Sequence, residues 1–117
     1  MDKRELQERL KKFAITIVKF GEALPSTTGF RTVCNQICRS GTSSAANYRA
    51  ACRGRSTAEY NAKMGIVEEE LDETLFWLEF SVGLSDALRQ AIAPLWKEGN
   101  ELLSIIVASI KTAKKNR

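Results

Sequence analysis

The sequence predicts an all-α protein, an antiparallel up-down-up-down four-helix bundle. Apolar residues recur at three- and four-residue spacings through nearly the whole chain, strand-type alternation is missing, and the breaks in the pattern are short. At 117 residues the chain reads as one domain, residues 1–117, large enough for a real core but short for an enzyme with a deep pocket.

Helix one is expected over residues 3–24. Leu6, Leu10, Phe13, Ile17, Phe20 and Leu24 form a heptad stripe, while Lys11, Lys12 and Lys19 fall outside it. Pro25, followed by Ser26, Thr27, Thr28 and Gly29, stops the helix in a turn.

Helix two, residues 28–52, repeats the rhythm with smaller side chains: Phe30, Cys34, Ile37, Gly41, Ser44 or Ala45, Tyr48, and Ala51 or Cys52. The run Arg39-Ser-Gly-Thr-Ser-Ser-Ala-Ala-Asn-Tyr-Arg-Ala50 is nearly smooth, so neighbouring helices can approach it closely. Gly41 among hydroxyls weakens a helix by about 1 kcal/mol against alanine, and an irregularity is expected near residues 40–42. Arg53-Gly54-Arg55 is a short hinge, and Ser56 with Glu59 reads as a capping box.

Helix three, residues 57–82, carries a core stripe of Tyr60, Met64, Val67, Leu71, Thr74 or Leu75, Leu78 and Val82. At 100° per residue, Ile66, Phe76, Trp77 and Phe80 fall on the other side, together with Glu69 and Glu73. A helix with two apolar faces has two partners, and the carboxylates make the second a subunit interface and not a membrane surface.

Helix four is expected over residues 86–114, capped by Ser85 or Asp86, with a core stripe of Leu88, Ile92, Leu95, Gly99, Leu102, Ile106, Ser109 and Ala113. Pro94 inside this pattern either kinks the helix or occupies the first turn of a long segment behind a short separate turn. Lys111, Lys114, Lys115 and Arg117 place cations where the helix dipole favours them.

Composition narrows the function classes. No apolar run approaches the roughly 20 residues of a spanning helix, and no signal-type apolar block follows the charged N-terminus, so a cytoplasmic protein is expected. Cys34, Cys38 and Cys52 are odd in number, share one predicted helix and read as free, small hydrophobes. With no histidine in the chain, a zinc site, a di-metal site among Glu68, Glu69, Glu70, Asp72, Glu73 and Glu79, and activation of Ser40, Ser43 or Ser44 are all disfavoured. No cofactor, metal or catalytic residue is expected. Residues 1–65 hold twelve Lys or Arg against five Asp or Glu, and residues 66–117 hold six against nine, a split of +7 and −3. That asymmetry implies pairing between the halves, a basic face for a polyanion, or both.

Several stretches carry a family resemblance: Ile17-Val18-Lys19 through Ala23-Leu24-Pro25, Asn35-Gln36-Ile37-Cys38-Arg39-Ser40-Gly41-Thr42-Ser43, Ala46-Asn47-Tyr48-Arg49-Ala50, Lys63-Met64-Gly65-Ile66, and Glu70-Leu71-Asp72-Glu73-Thr74-Leu75-Phe76-Trp77-Leu78-Glu79. Through them the chain resembles the bacterial four helix bundle proteins encoded in 23S rRNA intervening sequences, a group related in fold to the accessory variability determinant (Avd) of diversity-generating retroelements. The resemblance runs from about Phe13 to Lys115; Phe76 stands where many members carry tyrosine. It implies a homopentameric, barrel-like ring, no established enzymatic reaction, and nucleic acid as a partner. It also leaves room for a protein partner, such as a reverse transcriptase or an RNA-processing factor.

The candidate nucleic-acid-binding residues are Arg53, Arg55, Lys63, Arg49, Arg39, Lys19, Lys12 and Lys11, several of them placed around the junction of helices two and three. Arg39 and Arg49 have a second reading, favoured here, as partners of Glu70, Asp72 or Glu73 that hold the bundle in register. Tyr48 could stack on a base, but its place on the core stripe favours burial with its hydroxyl on a carboxylate. Two functions follow: a non-enzymatic, sequence-tolerant nucleic-acid-binding ring, or a scaffold that presents its surface to another protein.

Overall fold

The structure, a computed structural model, describes residues 1–116. The described residues form four α-helices, α1 (Lys3–Glu22), α2 (Thr28–Cys52), α3 (Thr57–Leu84) and α4 (Arg89–Lys115), with a single 3-10 turn at Asp86–Leu88 leading into α4. Each of the first three helices starts where a short polar side chain can take up an orphan amide. Asp2 accepts from the Glu5 N–H at 2.8 Å, Thr27 from Phe30 at 3.5 Å and Ser56 from Glu59 at 3.1 Å. The Glu59 carboxylate returns the contact one residue early, accepting from the Arg55 N–H at 2.6 Å instead of that of Ser56.

Consecutive helices pack side by side, and the α1–α4 seam that closes the bundle is the sparsest. The result is a rod of 47 × 20 × 20 Å. Leu6, Leu10, Phe13 and Ile17 from α1 meet Val33, Ile37 and Tyr48 from α2, Met64, Val67, Leu71, Leu75 and Leu78 from α3, and Ile92, Leu102 and Ile106 from α4. These are the predicted stripes, with one exchange: Val33, and not Cys34, joins Phe30 as a buried residue in the first turns of α2. Helical angle decides this, because position 33 sits four residues before Ile37 and faces the core more squarely.

The expected irregularity at residues 40–42 is absent, and α2 runs unbroken for 25 residues. Tertiary packing explains it. A Cβ on Gly41 would lie 2.9 Å from Ile17 Cγ2, and one on Gly21 would lie 2.8 Å from Cys38 Sγ, so the glycines set the close approach of α1 and α2. Ser40, fully buried, exchanges a 2.8 Å hydrogen bond with Thr74 on α3. Pro94 lies within a continuous α4, exposed near its start, and the 3-10 turn takes up the preceding residues. One missing amide on the solvent side, close to a helix end, leaves the rest of the ladder intact. Helix three continues two residues past its expected end, to Leu84, where Ser85 leaves the helical region.

Candidate nucleic-acid interface

Antiparallel packing brings three separated stretches to one end of the rod. The start of α1, the Arg53-Gly54-Arg55 hinge and the end of α4 together surround a cavity of about 780 Å³ whose lining includes Lys3, Gly54, Ser56, Tyr60, Thr112 and Asn116. The Lys3 ammonium stands 5.0 Å from the centroid of the Tyr60 ring, a cation–π contact that settles Lys3 against the bundle. Around this pole lie Lys3, Arg4, Arg53, Arg55, Lys111, Lys114 and Lys115, every one exposed. Asp2, Glu5 and Glu59 are the acidic residues there, and Asp2 and Glu59 are engaged with backbone amides. The bond from the Glu5 amide is also the main reason that the Asp2 carboxyl sits below its ordinary range.

A groove of about 810 Å³ runs from the same pole between α1 and α2. Its basic end holds Arg4, Lys11, Arg49 and Arg53; further along, Ala14, Ile15, Val18, Ala45 and Ala46 make an apolar floor.

The cations divide sharply by what they touch. Arg9 bonds Glu98 through two nitrogens, at 2.7 and 2.8 Å, and lies 3.1 Å from Glu101 across the α1–α4 seam. Arg39 bonds Glu70 at 2.9 Å and also Glu73, both on α3; Glu73 first and Glu70 second keep its guanidinium firmly protonated. Arg89 bonds Asp86, and Lys11 makes a 3.3 Å contact with Glu8 that is exposed on both sides. Among the described residues Arg4, Arg49, Arg53, Arg55, Lys63, Lys114 and Lys115 pair with no carboxylate.

The predicted site residues therefore do not form one patch. Arg49, Arg53 and Arg55 gather at the pole, with Lys63 between one and two turns along α3, and Lys11 borders the groove. Lys12 faces the α1–α4 seam beside Pro94 and Glu98, and Lys19 is near the opposite end of α1. Arg39 lies well down α2 rather than at the hinge, in the register-holding pair expected of it. Arg49 departs from its favoured reading. It projects into the α1–α2 groove, on the far side of α2 from the α3 carboxylates, and pairs with none of them. Lys3, Arg4, Lys111, Lys114 and Lys115 went unmarked as site residues, although an up-down-up-down topology already implies that both chain ends meet the middle hinge.

Tyr48 is buried, as its stripe position implied, but its hydroxyl has no carboxylate partner. Burial first, then the neighbouring Cys52 side chain, pushes its phenol well up. All three cysteines are free, and burial raises the Cys38 thiol to about 11. On the outer side of α3, Ile66, Phe76 and Phe80 are 37%, 51% and 41% exposed. Trp77 is half-buried against the core, its indole N–H donating to Glu73 at 3.2 Å. It borders the outer face more than it belongs to it, with ring centroids 4.9 Å from Phe76 and 5.3 Å from Phe80. Among the described residues no cluster of three or more Cys, Asp or Glu is placed to hold a metal ion, and no described helix is long and apolar enough to cross a membrane.

Comparison with known proteins locates the fold. A crystal structure at 1.70 Å of a protein of unknown function from the S23 ribosomal protein family, from Bacteroides thetaiotaomicron VPI-5482, is similar with a TM-score of 0.86 and 28% identity. The match covers 95% of this chain and 99% of that one. No curated protein matches. The profile of the 23S rRNA-intervening sequence proteins matches residues 3–108, essentially the entire bundle. The chain belongs to the 23S rRNA-intervening sequence protein family.

Proposed function

We propose that this protein is a non-enzymatic, sequence-tolerant nucleic-acid-binding protein of the cytoplasm that assembles into a homopentameric, barrel-like ring, and that its basic pole contacts phosphates. The fold relation to Avd belongs to the same reading. The observation that carries it is the pole itself, where, among the described residues, exposed cations from three chain segments outnumber the carboxylates of Asp2, Glu5 and Glu59, two of them engaged with backbone amides. Lysine and arginine side chains in this state offer charge without a competing partner, the condition for counterion-releasing contact with a polyanion. Charge contacts to phosphate carry no sequence information, so the contact is expected to tolerate sequence. A ring repeats the pole around its rim and deepens the local potential.

Anisotropy of a labelled RNA and a matched DNA, titrated with protein of verified mass between about 50 and 200 mM salt, tests this. Binding should weaken along a log–log slope of roughly −3 or steeper, as when four or more single-strand phosphates are neutralised. Charge reversal of Arg53 and Arg55 together should abolish it. No binding at the lowest salt would reject the reading and leave the protein-interaction scaffold, which the exposed Phe76 and Phe80 favour. A discrete protein partner that survives nuclease treatment in a pull-down would support that second reading, a reverse-transcriptase or RNA-processing factor among the candidates.

A further inference from the structure

We infer that the outer face of α3 in one copy docks head-to-tail into the α1–α2 groove of the next, with the two chains' α1 and α3 running in the same direction. The inference rests on the ring assembly proposed above and assigns the faces that build it. Two surfaces among the described residues carry the pairing. One is the groove, whose floor includes Ile15, 49% exposed, beside Val18, Ala45 and Ala46. The other is the strip of α3 opposite its core stripe, bearing Ile66, Glu69, Asp72, Phe76 and Phe80.

Their chemistry is complementary in kind and in order. Along α1 from the pole, the groove is first predominantly cationic, with Arg4 and Lys11 facing Arg49 and Arg53 of α2 and Glu8 as its one carboxylate, and then apolar, with Ile15 and Val18. Along α3 from the same pole, the outer strip passes Ile66, then turns acidic with Glu69 and Asp72, and then aromatic with Phe76 and Phe80. Lys11 to Val18 and Glu69 to Phe76 each span seven residues, about 10 Å of helix, so one alignment satisfies charge and apolar contact together. The floor's alanines leave room for the two phenylalanine rings, which fill grooves between small residues well.

The direction matters. A two-fold dimer uses one self-complementary patch, whereas contact between two different patches is heterologous and builds rings or filaments. Matching charge order makes the incoming α3 parallel to the receiving α1, the relation already present between these helices within each bundle. Copies related by rotation about an axis near the rod direction keep that sense, and their basic poles then share one rim.

The test uses the full chain and exposed positions, leaving Arg53 and Arg55 unchanged. Lys11→Glu with Arg49→Glu makes the groove acidic, Glu69→Lys with Asp72→Lys makes the strip basic, and the fourfold variant exchanges both. Mass by light scattering and sedimentation, with circular dichroism to verify folding, should give an assembled wild type. Each double variant should dissociate with an apparent Kd raised at least tenfold, and the fourfold variant should reassemble. An oligomeric wild type whose mass neither double variant changes, or double variants that the fourfold exchange does not rescue, would overturn this pairing and leave the ring reading standing. A monomeric wild type would overturn both. RNA binding is scored separately in the Glu69→Lys with Asp72→Lys variant, which leaves every cation of the pole in place.

Discussion

Gly41 is the residue at which local preference and tertiary need disagree. Alanine there would strengthen α2 in isolation, but its Cβ would meet Ile17 Cγ2 at 2.9 Å, and Ile17 is fully buried with no room to turn away. Gly41→Ala is expected to destabilise the fold by about 1–3 kcal/mol through overpacking. Gly65→Ala, where a Cβ meets nothing within 4 Å, should instead stabilise the protomer by about 0.5–1 kcal/mol. Urea unfolding of the two variants checks the opposite signs. The buried Ser40–Thr74 pair makes a related point about polar atoms. Removing either hydroxyl, by Ser40→Ala or Thr74→Val, should cost roughly 1 kcal/mol, while the double variant should cost less than the sum. A double-mutant cycle measures that coupling. The smooth surface of α2 was visible in the residue types, but which glycine faces which isoleucine depends on the rotation of two helices that are distant in sequence.

Among the elements, α1 and α4 are the least intimately joined, and a charge cluster secures them. Phe13 packs against Gly99 in the middle of the seam, and Arg9 grips Glu98 beside it. The hydrogen bonds from Arg9, and then its charge, hold the Glu98 carboxyl below its usual 4.5. A carboxylate with a lowered folded pKa contributes stability above its unfolded value and loses it as the pH falls through the folded one. Glu98 is 36% exposed on its side chain, so solvent screening limits the pair to about 0.5–1 kcal/mol. Glu98→Gln should therefore cost that much at pH 7, and the gap from wild type should close as the pH drops below about 4.5. Denaturation at pH 7 and pH 3.5 tests the sign. The helices were legible from their apolar spacing, because burial of one stripe is the same requirement wherever the partner lies. The seam pair was not, since Arg9 and Glu98 are 89 residues apart and no local pattern couples them.

For the whole molecule, position along the rod decides which cations act together. If the pole binds nucleic acid, Lys114→Glu with Lys115→Glu should weaken binding about as much as reversing Arg53 and Arg55. Lys12→Glu with Lys19→Glu, an equal change in net charge placed away from the pole, should leave most of it, and parallel anisotropy titrations separate the two. Equal losses in all three variants would point to net charge and not to a located surface.

By itself the sequence determined the class of fold, the approximate extent of each helix, the main core stripes, the absence of histidine chemistry and the double face of α3. Each follows from spacing or composition, which are one-dimensional. Tertiary structure alone decided that Arg39 is held by α3 while Arg49 is free in a groove, and that Gly41 is a contact and not a break. These depend on helix rotation, and such relations arise only when separate segments pack.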